Sequence, residues 1–291
     1  WRMMRPGVFT SFMGGMSYET ALPMIHAAGF QVVSLGGNPQ LAGYATAADR
    51  QKLTALLRKL SLVIDSVHAP FPEGDRLFAE DESMRQESVR LCKLALDAAA
   101  EVNGRVVVVH LLLPYDIPPG EQRDRMIAQG RRSIAELAKH AEARQVGLGL
   151  ENGQRRDYDE VLFDLLDELP TPYVGLCYDS GHEHIQGRCF QILQQYGNRL
   201  LALHIHDNTG SDTHLLPFSG TVPWEGFGKA MAGLNFAGDL VLESGMTHES
   251  FQTPEDFLAE AMRRCQRLQK MMTESGGAGN GDSAGSKAAK K

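Results

Sequence analysis

The chain has 291 residues, 43% hydrophobic and 22% charged, with a formal net charge of −7. That length and apolar share allow one large domain with a sizeable core. The acidic balance argues against nucleic acid as a partner, because its binding proteins carry a basic footprint. Cys92, Cys177, Cys189 and Cys265 form no CxxC pair, so reduced core thiols and a cytoplasmic, reducing compartment are expected. No apolar run is long enough to span a bilayer and no signal-peptide core is visible. The start at Trp1 rather than Met reads as a processed N-terminus.

Strand and helix patterns alternate along the chain. Strands are expected at residues 7–12, 30–35, 62–68, 105–112, 146–151, 173–179, 200–206 and 239–243, most of them short runs of Val, Leu and Ile. Such runs suit strands buried on both faces. Between them lie amphipathic helices. Residues 83–102 place Val89, Ala95, Ala98 and Val102 on one face, with Gly104 as the stop. Thr253-Pro254-Glu255-Asp256 opens the last helix with a cap, a first-turn proline and two acids. Residues 273–291 are rich in Gly, Ser, Ala and Lys and are expected to be a disordered tail after a single domain over 1–272. Lys287, Lys290 and Lys291 against Glu274 and Asp282 make that tail +1 and leave −8 for the body.

Eight strand–helix units over about 250 residues predict a (β/α)8 TIM barrel. A doubly wound open sheet is the competitor, but the chain lacks a Gly-rich phosphate turn after a strand. In a barrel all strand C-termini face one mouth, so residues distant in sequence converge there.

The strand ends carry the chemistry. Four late strands, VGLGLE, VGLCYD, LLALHIH and DLVLE, end in or next to Glu151, Asp179, His206 and Glu243. Others end at or just before His68 and His110, and the following turns add His182, Asp212 and His214. Each histidine alone reads as a satisfied core or surface residue. Together, at equivalent ends of successive strands, these groups read as a metal site. Two Glu, one Asp and one His are a hard, oxygen-rich set that suits Mn, Mg, Co or Zn.

With LENG, YDSGH, HIHDN, DTH and LESG in these places, residues 7–272 resemble the xylose isomerase-like barrels. These include sugar and sugar-phosphate isomerases and epimerases, inosose dehydratase-like proteins and endonuclease IV. The resemblance implies that Glu151, Asp179, His206 and Glu243 hold one divalent metal, with His204 as an outer or merely buried group and His182 facing substrate. It also implies that Glu151 and Glu243 act as catalytic acid and base. The expected function is then a metal-dependent sugar or sugar-phosphate isomerase or epimerase, working by proton transfer through a metal-stabilised enediolate.

Endonuclease IV is the rival within the resemblance, because His68, His110, His182, Asp212 and His214 match its extra zinc ligands in order and type. In an isomerase the same residues would bind substrate or an additional metal. The mouth loops favour the isomerase. GGNPQLAGYATAADR and APFPEGDRLFAEDESMR are poor in the basic and wedge residues that a DNA-binding mouth needs. Arg155-Arg156 reads as a solvated pair. HIHDNTGSDTH departs from the ketose 3-epimerase pattern, and LLPFSGTVPW keeps Trp224, expected to be packing, without the usual acidic turn. A polyol dehydratase and a ligand-binding barrel without turnover complete the alternatives. A small-molecule partner is expected, no membrane, and self-association is left open.

Overall fold

The computed structural model describes residues 3–278. Eight parallel strands form one sheet: β1 (Pro6–Phe9), β2 (Val32–Leu35), β3 (Val63–His68), β4 (Val106–Val109), β5 (Gly147–Glu151), β6 (Val174–Asp179), β7 (Leu200–His204) and β8 (Leu240–Leu242). β1 pairs with both β2 and β8. β7 and β8 meet just past the end of β7, where Ile205 N donates to Val241 O and Glu243 N to Ile205 O, each at 3.0 Å. The ring therefore closes at the end where the ligand-type residues stand, and the expected (β/α)8 barrel is the fold.

The outer layer contains α1 (Tyr18–Ala27), α2 (Pro39–Ala42), α3 (Ala47–Leu60), α4 (Glu82–Glu101), α5 (Glu121–Arg144), α6 (Arg156–Glu168), α7 (Ser180–Ile185), α8 (Gln191–Tyr196), α9 (Glu225–Met231) and α10 (Pro254–Ala278). Local chemistry sets several of their ends. Asp81 caps α4 by accepting from Met84 N at 2.9 Å, a contact of a type that stabilises by about 1 kcal/mol. The helix stops through Asn103, whose φ of 58° is left-handed, one residue before the expected Gly104. α10 starts as expected, with Thr253 Oγ1 accepting from Asp256 N at 3.1 Å. It then runs on to Ala278, past the expected start of the tail at 273. Extending a formed helix costs far less than nucleating one. The rest of the expected tail, 279–291, lies outside the described residues.

Strand side chains separate by alternation. Val107, Val109, Leu148, Leu150, Leu176 and Leu203 join the apolar layer under the helices. Val106, Val108, Cys177 and Ala202 form a separate buried cluster, as do Phe9, Val32 and Val241. These are the inward positions, one or two pairs below the strand-end acids and imidazoles. Near the opposite strand ends, charges are paired: Arg5 with Asp239 and Arg105 with Asp65, both at 2.7 Å.

Candidate metal centre

Glu151, Asp179, His204 and Glu243 each offer one ligand atom to a common space, all within 4.8 Å of one another. His204 Nδ1 lies 3.1 Å from Glu243 Oε2 and 3.3 Å from Glu151 Oε2. Both ring nitrogens of His204, both carboxylate oxygens of Glu151 and Oε2 of Glu243 are buried without a hydrogen bond. Orphaned buried carboxylate oxygens carry a large desolvation cost. A divalent cation among them would remove that cost, so the residues fit a bound metal on their donor chemistry.

One of the expected residues lies outside this group of four. His206 does not join Glu151 and Glu243; His204 does. Both face inward, but the His206 ring turns to Asp179 and His214, whereas His204 Nδ1 faces Glu151 and Glu243. His206 Nε2 stands 3.1 Å from Asp179, and its ring stacks on His214 with centroids 4.0 Å apart. Ser180 fixes its backbone, accepting from His206 N at 3.0 Å and donating to His206 O at 2.8 Å. A Cβ on Gly181 would fall onto the His206 ring, which explains the glycine in YDSGH.

The other expected residues converge as two flanking groups. On one side are His68, His110 and Glu151, which share ligand-type geometry, with His68 Nε2 3.3 Å from His110 Nε2. On the other side, Asp179, His182 and His206 form one group and His206, Asp212 and His214 another. His182 Nε2 is 3.5 Å and His214 Nε2 3.3 Å from Asp212.

Three further residues contribute beyond the expected site set. Asp75, on the loop after β3, meets His110 Nδ1 at 2.9 Å and so turns Nε2 toward Glu151, 3.5 Å away. No strand end or motif marks it. Asn152, within LENG, accepts from Asp179 N at 2.7 Å and donates to Asp179 O at 2.9 Å, locking the ends of β5 and β6 together. Asp207 gathers the following loop: it accepts from Asn208 N, Phe218 N, Val222 N and Trp224 Nε1 at 2.8–3.0 Å. Trp224 is 1% exposed, in keeping with a packing role.

The electrostatics show a site short of positive charge. Burial opposes protonation of His110, but Glu151 and Asp75 outweigh it and lift the imidazole to about 10. His214 is likewise lifted to about 10 against burial, chiefly by Asp212. Burial pushes the Glu243 carboxyl up, yet His204 holds it at about 2. The carboxylates thus draw protons onto the imidazoles, the positions a bound cation would compete for.

A cavity of about 770 Å³ opens above this centre, lined by His68, Phe71, Asp75, Arg76, His110, Tyr115, Glu151 and Glu243 among others. A second of about 300 Å³ adjoins it past Asp212 and His214. Both sizes fall near or within the range of ligand pockets.

The chain is 27% identical over 234 residues to fructoselysine 3-epimerase of Escherichia coli O157:H7, covering 76% of this chain and 82% of that protein. It is 24% identical over 241 residues to D-psicose 3-epimerase of Enterocloster bolteae, covering 78% and 76% respectively. A solved D-tagatose 3-epimerase-like protein superposes with a TM-score of 0.78 at 20% identity, over 93% of this chain and 99% of that one. The model of the xylose isomerase-like TIM barrel family matches residues 22–268. With the closed barrel, this places the chain in the xylose isomerase-like TIM barrel family.

Proposed function

We propose that the protein is a divalent-metal-dependent epimerase or isomerase of a ketose or related hydroxy-carbonyl compound. One observation carries the reading: buried, unpartnered oxygens of Glu151 and Glu243 stand on either side of His204 at the floor of an open cavity. The sugar epimerases among its relatives support it.

Glu151, Asp179, His204 and Glu243 would hold a metal of the Mn, Mg, Co or Zn type. When bound, it polarises the substrate's carbonyl and neighbouring hydroxyl oxygens and so acidifies the adjacent C–H. Glu151 and Glu243 come from β5 and β8, separate parts of the ring, and would approach the substrate carbon from different sides. One takes the proton and the other returns it through an enediolate, which inverts the centre. His182 and Asp212, which line the cavity wall, would orient hydroxyls. Phe71 and Tyr115 would exclude water from the reacting carbon.

The test is exchange in D₂O. The metal-loaded protein and a panel of ketoses are followed by NMR for deuterium entering beside the carbonyl and for the epimer formed. Glu151→Gln and Glu243→Gln should each abolish conversion; a fully active double variant overturns the assignment.

A second reading, a multi-metal phosphodiesterase, is favoured by the flanking groups His68–His110–Glu151 and His206–Asp212–His214. Near three zinc ions per chain together with metal-dependent nicking of duplex DNA at an abasic site would establish it over the epimerase.

A further inference from the structure

Among the described residues lining the 770 Å³ cavity, Arg76 is the only lysine or arginine. Its backbone N donates to Ser88 Oγ at 3.1 Å, and its guanidinium makes no ion pair or side-chain hydrogen bond with a described residue. Nearby arginines are engaged: Arg123 and Arg155 with Asp157 at 2.7 and 3.0 Å, and Arg188 with Asp159 at 3.5 Å. Three of the cavity's carboxylates face imidazoles, and Glu151 belongs to the proposed metal site. Asp75 faces His110, Asp212 faces His182 and His214, and Glu243 faces His204. Arg76 is thus an exposed lining residue of the cavity whose guanidinium has no acceptor among the described residues.

Its root is held. Phe71 N donates to Gly37 O at 2.8 Å, Gly74 N to Pro70 O at 2.7 Å and Asp75 N to Pro72 O at 3.2 Å. A planar guanidinium on a fixed loop recognises carboxylate or phosphate through paired, charge-assisted hydrogen bonds. The cavity lies toward the upper part of the range that holds drug-sized ligands, leaving room for a substituent beyond the reacting carbons.

We propose that Arg76 is a specificity residue that binds an anionic substituent, phosphate or carboxylate, carried by the substrate away from its reacting carbons. This rests on the epimerase reading and names the substrate class within it.

The test is binding, measured by calorimetry on the metal-loaded full chain with D-fructose, D-fructose 6-phosphate and D-fructuronate. The favoured anion should bind at least about ten-fold tighter than fructose, and which anion is favoured tells phosphate from carboxylate. Arg76→Gln should erase the preference while leaving fructose affinity unchanged, and Arg76→Lys should keep part of it. The proposal is overturned if neither anion binds tighter, if the preference survives in Arg76→Gln, or if that variant weakens all three sugars alike. The D₂O experiment reports separately: anion preference without exchange defeats the epimerase reading alone, and exchange without preference defeats the role of Arg76 alone.

Discussion

His204 Nδ1 stands 3.1 Å from Glu243 Oε2, joining the ends of β7 and β8 across the seam where the barrel closes. His206, two residues on, turns to Asp179 instead. Metal affinity should therefore respond unequally. His206→Ala should lower it by about 10–100-fold, the usual cost of losing an outer partner, and His204→Ala by more. Competition against a chelating dye measures both, and the reverse order would return the ligand role to His206. Chelation should also lower Tm. Metal at a hundred times its Kd contributes about 2.7 kcal/mol, or ~4–5 °C at this length, and Glu243→Gln should remove that response.

Asp75 should matter more than its loop position suggests. Asp75→Asn removes one of the two carboxylates that hold His110 at about 10. An NMR titration of the metal-free variant should place His110 lower. Metal affinity or turnover should fall by about ten-fold or more, with the far-ultraviolet circular dichroism unchanged. A variant matching the parent in both titration and affinity would remove the role.

Asp159 gives a pH signature away from the metal centre. Burial is the main cause that lifts its carboxyl from 3.8 to about 6, against hydrogen bonds from Gln186 and Gly153. The folded chain therefore holds this proton more tightly than the unfolded chain. Its contribution to stability is greatest below 3.8, declines as pH rises to about 6 and is flat above, a loss of roughly 3 kcal/mol. Urea titrations should show Asp159→Asn gaining on the parent between pH 4 and 7. A difference that does not vary with pH would contradict the shift.

Asp207 holds the loop that carries Asp212 and His214. Asp207→Ala leaves four donors without their acceptor, each costing about 1–3 kcal/mol when buried. Denaturation should show a loss of at least ~3 kcal/mol, or no folded protein. Trp224→Phe, which frees one donor partner, should cost about 1–2 kcal/mol. Equal effects would mean that Asp207 acts only through Trp224.

The barrel was legible because its strands are short apolar runs that recur between amphipathic helices, and this period needs no knowledge of contacts. The strand ends were legible for the same reason: Glu151 in LENG, Asp179 in YDSGH and Glu243 in LESG interrupt apolar runs where burial disfavours charge. Asp75 was not legible, because a loop aspartate in APFPEGD looks like many solvated ones until the chain folds it onto His110. Arg76 beside it could be placed near the mouth, but that its guanidinium makes no ion pair shows only once the chain is folded.

The choice between His204 and His206 shows where sequence stops. By itself the sequence determined that both histidines face inward at the end of one strand, because side-chain direction alternates with a period of two. Which one meets Glu151 and Glu243 depends on the height at which β7 stands against β5 and β8. Register between strands and the closure of the ring set that height, and only the tertiary structure decides them.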